Sequence, residues 1–509
     1  MSGHSSHRGT ITVCVMLATI MQALDTTIAN VALPYMMGSL SATLDQINWV
    51  LTSYIVAAAI ATPLTGFMVT RFGRKPVFLG AVIGFTVASM LCGLAASLEQ
   101  MVLYRLLQGI FGAPLVPLSQ AVLLDTYPRE KHGSAMAMWG VGVMVGPILG
   151  PTLGGWLTDA YNWRWVFFIN LPVGIVTLLG LMAYLTDSPR NTKSKFDWLG
   201  FFCLTVAIGA FQMMLDRGEQ LDWFSSTEVV IEAGLAALAF YMFLVHILTS
   251  SNPFIDPRMF ADRNFSIGLI SIFIVGIILL ATLALLTPFL QNLLGYPVLS
   301  AGIVLAPRGI GTMIAMMIVG RVITKIDPRL IFAFGLSLIA FTLWEMSGYT
   351  LEVSQSVLIR NGIIQGFGLG FVFIPLSTIT FATLAPHYRT QGAALFSLMR
   401  NIGSSIGISV MTFLLIRNTT IMHADMTTHV TPFNLGLHLP GLLRNWDIAT
   451  MAGKAALNAE IGRQSQVIAY ANDYRLMMYV ALASIPLALL LRRPGRSHGH
   501  AAAAAAAAD

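Results

Sequence analysis

Charge is the scarcest property of this sequence. Asp, Glu, Lys and Arg make up 10% of its 509 residues, where a soluble domain carries about 25%. Hydrophobic residues make up 56%, and the mean hydropathy is +0.74. That balance excludes a soluble enzyme, a disordered chain and a nucleic-acid binder of the usual basic kind. It leaves a polytopic membrane protein, because each spanning helix needs about 20 mostly apolar residues. Cysteine is nearly as scarce. Cys14, Cys92 and Cys203 each fall inside an apolar run, with no CxxC and no pair in an outer loop, so no disulfide and no structural metal is expected. The histidines are scattered without HExxH. No GxxxxGK[ST] phosphate loop occurs, which disfavours an ATP-driven pump.

The apolar runs then read as fourteen spanning helices, at about 11–33, 50–70, 77–97, 102–124, 134–157, 165–185, 197–215, 229–248, 265–290, 301–323, 330–349, 360–384, 392–416 and 474–491. They are about twice the length of a barrel strand, and a helix satisfies its own backbone in hydrocarbon. The first run is not a cleaved signal peptide: it is too long, carries Asp25, and is followed by many more spans.

The +6 net charge and pI near 9.3 fit the excess of Lys and Arg in cytoplasmic loops. With the N-terminus inside, the cytoplasmic edge receives Arg8, Arg71, Arg74, Lys75, Arg129, Lys131, Arg190, Lys193, Lys195, Arg258, Arg263, Arg321, Lys325, Arg329, Arg389, Arg492, Arg493 and Arg496, or 18 of the 29 cations. An even span count puts both termini in the cytoplasm of a bacterial inner membrane.

A weak internal repeat is visible. Arg105-x-x-Gln108-Gly109 with Pro117-Leu118-Ser119 is echoed by Gln365-Gly366 with Pro375-Leu376-Ser377, and Gly142-x-x-x-Gly146 by Gly403-x-x-x-Gly407. Parallel six-helix repeats around a central site are a transporter architecture. The expected organisation is a cytoplasmic N-terminus (1–10), a six-helix bundle (11–190), two linker helices (191–262), a second six-helix bundle (263–492) and a low-complexity tail (493–509). The second bundle includes a long periplasmic loop (417–473). Residues 451–471 of that loop carry a moderate helical pattern, which suits a helix lying on the outer surface or a docking site for another protein.

A charge at the bilayer centre costs on the order of 3 kcal/mol, so each one needs a partner or a wet cavity. The candidates are Asp25, Arg105, Arg308, Glu345 and Arg400. Gln22, Asp25, Thr26, Ala29 and Asn30 put a polar stripe on one face of the first span, as a cavity or helix interface requires. Asp25 and Arg105 fall in the same half of their spans and can sense each other's charge if the spans are neighbours. A carboxylate that alternates between a wet and a drier state suits proton coupling; a buried polar residue that only fixes packing is the plainer reading. Glu345, near a span end, can reach the interface. Arg308 and Arg400 can pair internally or meet an anionic group.

Two further patterns stand out. Gly142-x-x-x-Gly146-Pro147-x-x-Gly150-Pro151-x-x-Gly154-Gly155 combines glycines that admit a second backbone with prolines that bend a helix, which suits a hinge or seal. Gly66 to Pro76 contains Arg71-Phe72-Gly73-Arg74-Lys75 on a tight turn. These cations satisfy the topology rule, and they can also latch one state by bridging to carboxylates or a helix end.

These motifs resemble the major facilitator superfamily. The turn is similar to its motif A, Arg105-x-x-Gln108-Gly109 to its motif B, and the glycine–proline series to its antiporter motif C. Leu24-Asp25-Thr26-Thr27-Ile28-Ala29-Asn30-Val31-Ala32-Leu33-Pro34 resembles the first-span motif of the fourteen-span drug:proton antiporters. Leu215-Asp216-Arg217-Gly218, Leu221-Asp222-Trp223-Phe224-Ser225-Ser226 and Pro432-Phe433-Asn434 are similar to the EmrB-like efflux pumps. The resemblance covers about residues 10–492. It implies an all-α membrane protein with the major facilitator fold, two six-helix bundles plus two inserted transmembrane helices. It implies export of drugs or other hydrophobic compounds driven by proton entry, with no cofactor, alongside a periplasmic adaptor of the EmrA type and an outer-membrane channel of the TolC type. By motif match, Asp25, Arg105 and Gln108 serve coupling. Gly66, Arg71, Gly73, Arg74 and Lys75, together with the motif C residues, serve gating. Motif A usually has Asp where this chain has Thr70, so either the latch relies on the three cations alone or it is weaker.

No motif marks the substrate pocket; Gln22, Thr26, Asn30, Gln291, Asn292, Arg308, Gln365 and Arg400 are its candidate lining. A dedicated exporter of one metabolite, fatty acid or siderophore stays open, and from a different class a non-transporting scaffold or sensor.

Overall fold

The computed structural model describes residues 8–47, 49–128, 131–188, 190, 196–218, 220–250, 253–431, 446 and 450–492. Every regular element among the described residues is helical. The main helices are α1 (Arg8–Ser39), α2 (Trp49–Ala61 with Leu64–Phe72), α3 (Arg74–Leu94), α4 (Leu98–Thr126), α5 (His132–Ala160), α6 (Trp165–Tyr184) and α7 (Trp198–Arg217). They continue with α8 (Thr227–Thr249), α9 (Arg263–Leu293), α10 (Val298–Val322), α11 (Pro328–Met346), α12 (Gln355–Ala382), α13 (Arg389–Thr428) and α14 (Met451–Leu490). Short connections make successive helices antiparallel. The face on which α1 begins is called the near face below.

Twelve of these helices are long and apolar enough to span a membrane, and a bent α2 makes thirteen. The remaining one, α5, has the length at 29 residues. Among the described residues, therefore, twelve or thirteen helices meet the criteria of length and apolarity, and the exact count of fourteen spans expected from the sequence is not reached.

Prolines set the breaks. Pro63 has no N–H to continue the ladder, and α2 bends by 53° there. Thr62 Oγ1 donates to the Ala58 carbonyl at 2.6 Å beside the break. Pro114 divides α4 into Leu98–Gly112 and Leu115–Thr126 in the same way.

The long outer loop is the clearest correction. Residues 417–473 were expected as a long outer loop with a helical pattern over 451–471; α13 instead continues to Thr428, while α14, starting at Met451, takes up that pattern. After Gly407 there is no glycine or proline until Pro432, so nothing stops the helix where apolarity ends. The two extensions pair as an antiparallel hairpin through His423 with Asn458 (3.0 Å) and Ser465 with Met426. Arg129, Lys193, Lys195, Pro432 to Asn434, Arg444 and the tail from 493 lie outside the described residues.

Packing repeats between the halves. In the first, α1 lies along α5, α2 along α4, and α3 against α4 and α6; in the second, α9 lies along α13, α10 along α12, and α11 against α12 and α14. The glycines make these seams. A Cβ on Gly146 would collide with the Ala23 backbone of α1, and one on Gly407 with the Ile277 backbone of α9. Helices α7 and α8 pack on each other, and α7 touches both α2 and α13. The halves meet where α5 packs on α10 and α12, and where α13 packs on the near-face segments of α2 and α4.

Candidate proton site, gate and substrate cavity

Asp25 and Arg105 are both fully buried, and Arg105 Nη1 lies 2.7 Å from Asp25 Oδ2. The glycine-lined seam holds α1 in place, and Gly109 lets α4 approach the Tyr54 carbonyl of α2, which brings Arg105 inward. Gln108 Nε2 and Asn170 Nδ2 donate to Asp25 Oδ1 at 2.8 and 3.0 Å. The carboxylate thus accepts from one cation and two amides. Arg105 also donates to the Val50 carbonyl (3.0 Å) and Gln108 Oε1 (2.9 Å), and stacks 4.5 Å from the Tyr54 ring centroid. Its Nη2 has no partner among the described residues. Asn170 is anchored by Ser89 Oγ at 2.9 Å, which in turn donates to the Phe167 carbonyl.

The sequence reading reached Asp25, Arg105 and Gln108 and missed Asn170, Ser89 and Tyr54. A lone Asn in an apolar run at Ile169-Asn170-Leu171 was the only available signal. Ser and Tyr are too common in spans to announce themselves.

The motif C glycines divide. A Cβ on Gly146, Gly150 or Gly154 would meet Ala23, Thr27 or Ile28 of α1, whereas Gly142 makes only ordinary contact with Met16 and Gly155 faces open space. Thr27 Oγ1 donates across the seam to the Gly146 carbonyl at 3.0 Å. Pro147 and Pro151 lie within the helix. The seam therefore seals α5 to α1 on either side of Asp25. The near-face half of α5 faces the other bundle instead: Gly140 meets Met316, Gly133 meets Ile323, and Trp139 stacks 5.9 Å from Phe373.

The near face carries a latch. Asp125, at the end of α4, accepts from Arg74 Nη2 at 2.5 Å and from Arg389 Nη1 at 2.6 Å. Arg389 starts α13 in the second bundle, so one carboxylate ties the motif A turn to the opposite half. Gly66 marks the closest approach there: a Cβ would stand 3.0 Å from that of Gln391 on α13. The missing motif A Asp is answered by this geometry. Thr70 only back-bonds to the Gly66 carbonyl, and Asp125 supplies the acid. Gly73 has φ +93°, and a Cβ would press on Asp187. Asp187 accepts from the Lys75 N–H at 3.2 Å, Ser188 Oγ accepts from the Arg74 N–H, and Lys75 Nζ donates to the Met182 carbonyl. The segment after α6 thus caps the start of α3. Arg71 is half-buried in the last turn of α2. Neither Asp125 nor Asp187 was singled out in the sequence, because acids at span ends are ordinary.

The expected cavity residues scatter. Gln22 donates to Tyr54 Oη at 3.2 Å, Thr26 back-bonds to the Ala23 carbonyl, and Asn30 is exposed. Gln291 and Asn292 fall in the wide turn Phe289–Leu293, half-buried and exposed respectively. Gln365 is buried toward Met346 of α11. Glu345 is held by Arg360 and by Asn361 Nδ2 at 2.8 Å. Arg308 is buried, and Arg400 is partly exposed about three turns into α13.

Two helical bundles with a buried ion pair in one and a charged latch between them define a secondary transporter of the alternating-access kind. The Major Facilitator Superfamily profile matches residues 15–408. The chain belongs to the major facilitator superfamily, and it is a multi-span membrane transporter. It is 39% identical over 427 residues to the multidrug export protein EmrB of Escherichia coli (strain K12), covering 83% of each chain. It is 35% identical over 491 residues to the fatty acid resistance protein FarB of Neisseria gonorrhoeae, covering 96% of this chain and 97% of that one. Among solved structures, the human organic anion transporter MFSD10 (TETRAN) shares the fold with a TM-score of 0.58 at 14% identity, covering 93% of this chain and 99% of that one.

Proposed function

We propose that the protein is a proton-coupled antiporter of a bacterial inner membrane that exports hydrophobic, drug-like compounds by alternating access. The observation that carries this reading is the buried Asp25, held by Arg105, Gln108 and Asn170. With the near face toward the cytoplasm, the Asp125 latch closes the cytoplasmic side. A proton entering from the opposite face neutralises Asp25 and removes the charge that holds Arg105. Arg105 keeps its Val50 and Tyr54 contacts. The α1–α5 seam then loses its fixed neighbour, and the bundles can rock open at the latch. Substrate binding from the cytoplasm favours release of the proton and return.

One proton crossing about 100 mV supplies about 2.3 kcal/mol, enough for roughly a fiftyfold gradient of a neutral compound. No cofactor and no enzymatic step is needed. The resemblance of its motifs to the EmrB-like efflux pumps implies a place in a tripartite system, with an EmrA-type periplasmic adaptor and a TolC-type outer-membrane channel. The α13–α14 hairpin is the extension available to meet the adaptor. A dedicated fatty-acid exporter is the second reading, favoured by the 96% coverage of the FarB match.

The test is reconstitution in vesicles with an imposed pH gradient. A hydrophobic dye should concentrate against its own gradient, and its addition should dissipate the pH difference. Dye movement that leaves the pH gradient untouched contradicts proton coupling.

A further inference from the structure

The patterns Leu215-Asp216-Arg217-Gly218 and Leu221 to Ser226 belong to a part of the molecule that the coupling site does not use. They form the far-face end of the inserted pair α7 and α8. There α7 stands beside the start of α2. A cavity of about 370 Å³ lies between them, lined by Trp49, Thr52 and Ile55 of α2, by Asp216 and Arg217 of α7, and by Gln220. Gln212 Nε2 donates to Asp216 Oδ1 at 3.1 Å and Thr52 lies within hydrogen-bonding reach, but the buried Oδ2 has no partner among the described residues. Arg217, the cation of this lining, is already held by Glu228. Glu232, near Arg217 on α8, has a second unpartnered carboxylate oxygen. The local balance is acidic, and a buried carboxylate oxygen left without a donor is costly.

A second cavity, of about 320 Å³, adjoins the first. The two share Gln46 and Trp49. The second is apolar where it follows α4, along Leu98, Val102, Leu103 and Leu106, with exposed Glu99 at its edge. A carboxylate-bearing cavity and an apolar one thus meet at Trp49. Along α7 from its near-face start at Trp198, Asp216 lies about 27 Å up, where a hydrocarbon core of about 30 Å ends. Trp is enriched at that level. Ile55 and Leu103 are exposed although they stand in apolar spans, so the paired cavity opens sideways toward lipid.

We propose that this paired cavity binds an aminophospholipid of the outer leaflet, with its primary ammonium donating to Asp216 Oδ2 and an acyl chain lying across Trp49 against α4. A primary ammonium brings both the charge and the N–H donors that the orphaned oxygen lacks. A trimethylated one brings the charge alone. The lipid fills the gap between the first bundle and the inserted pair on the far face. This assignment does not rest on the antiporter reading.

The experiment uses the full chain purified in detergent and three phospholipids with the same acyl chains: phosphatidylethanolamine, its trimethylated counterpart phosphatidylcholine, and phosphatidylglycerol. Native mass spectrometry counts the lipid retained. Wild type should hold phosphatidylethanolamine about tenfold more tightly than phosphatidylcholine, the scale of one charge-assisted contact, and phosphatidylglycerol, which carries no cation, least. Asp216→Asn should bring the first ratio toward one. Asp222→Asn, which removes an exposed acid on the next turn, should leave it unchanged. A variant that fails to fold loses all three lipids alike, and the wild-type ratio decides the case without it. A wild-type ratio near one overturns the assignment. So does a ratio that survives Asp216→Asn, or one that falls equally with Asp222→Asn, since diffuse surface charge is then the cause. Dodecylamine is the last arm. If it displaces phosphatidylethanolamine at equal concentration, a free cation is the occupant and the lipid assignment is wrong; a phospholipid that stays bound supports it.

Discussion

The two bundles share a packing scheme and differ in their charges. In the first, the seam contact at Gly146 falls on Ala23, and two residues further along α1 stands Asp25. In the second, the matching contact at Gly407 falls on Ile277, and two residues further along α9 stands Leu279. Opposite Asp25 lies Arg105 of Arg105-x-x-Gln108-Gly109; at the same spacing before Gln365-Gly366 lies Gly362. One half therefore holds a neutralised ion pair, whereas in the other neither Arg308 nor Arg400 pairs with an acid among the described residues. In our reading the frame of the first half serves a proton.

The comparison can be broken most severely at Arg105. Arg105→Ala leaves Asp25 buried without its cation, which costs about 3–5 kcal/mol and should lower the melting temperature in detergent. Adding Asp25→Asn to that variant should recover most of the loss, whereas no such rescue is expected for substitutions at Arg308.

The next effect lies in the energetics of transport. Exchange of one entering proton for a neutral leaving compound moves one charge, so the compound's gradient should gain about 2.3 kcal/mol per 100 mV, roughly fiftyfold. Accumulation of a neutral hydrophobic dye in vesicles clamped with potassium and valinomycin measures this; a gradient that ignores voltage argues against proton exchange.

The seams provide a third test. Gly146→Val should cost about 1–3 kcal/mol by overpacking and slow transport. Gly155→Ala, where nothing lies within 4 Å, should change stability by no more than about 0.5 kcal/mol. Thermal unfolding of the two variants distinguishes a seam from a motif that is merely glycine-rich.

The smallest effect is expected at the latch. Asp125→Asn removes the charge shared by Arg74 and Arg389, two partly exposed pairs worth about 1 kcal/mol or less each. Distances between spin labels on the near-face ends of α4 and α13 should show a several-fold larger open population. An unchanged distribution would mean that helix packing alone closes that side.

Much of this was legible in the sequence, for physical reasons. Asp25 and Arg105 stood out because a charge in an apolar run is expensive, and their equal depth allowed a contact if their spans were neighbours. The internal repeat announced two six-helix halves, but not which helices pair within each. Asn170 and Ser89 were hidden because one neutral polar group in a span is cheap. Asp125 was hidden because acids at helix ends are common; its partner Arg389 lies 264 positions away, and nothing local links them. Glycine spacing could not tell Gly146 and Gly150, which touch α1, from Gly155, which touches nothing. The extension of α13 to Thr428 was misread as loop because hydropathy marks where lipid could end, and the helix does not stop there, whereas the helical pattern over 451–471 announced the start of α14.

The central claim is that Asp25 carries the proton. Proton release on substrate addition to the purified, weakly buffered protein tests it most directly. Wild type should release protons when a transported compound binds, and Asp25→Asn should bind the compound and release none. Undiminished release from Asp25→Asn would contradict the account.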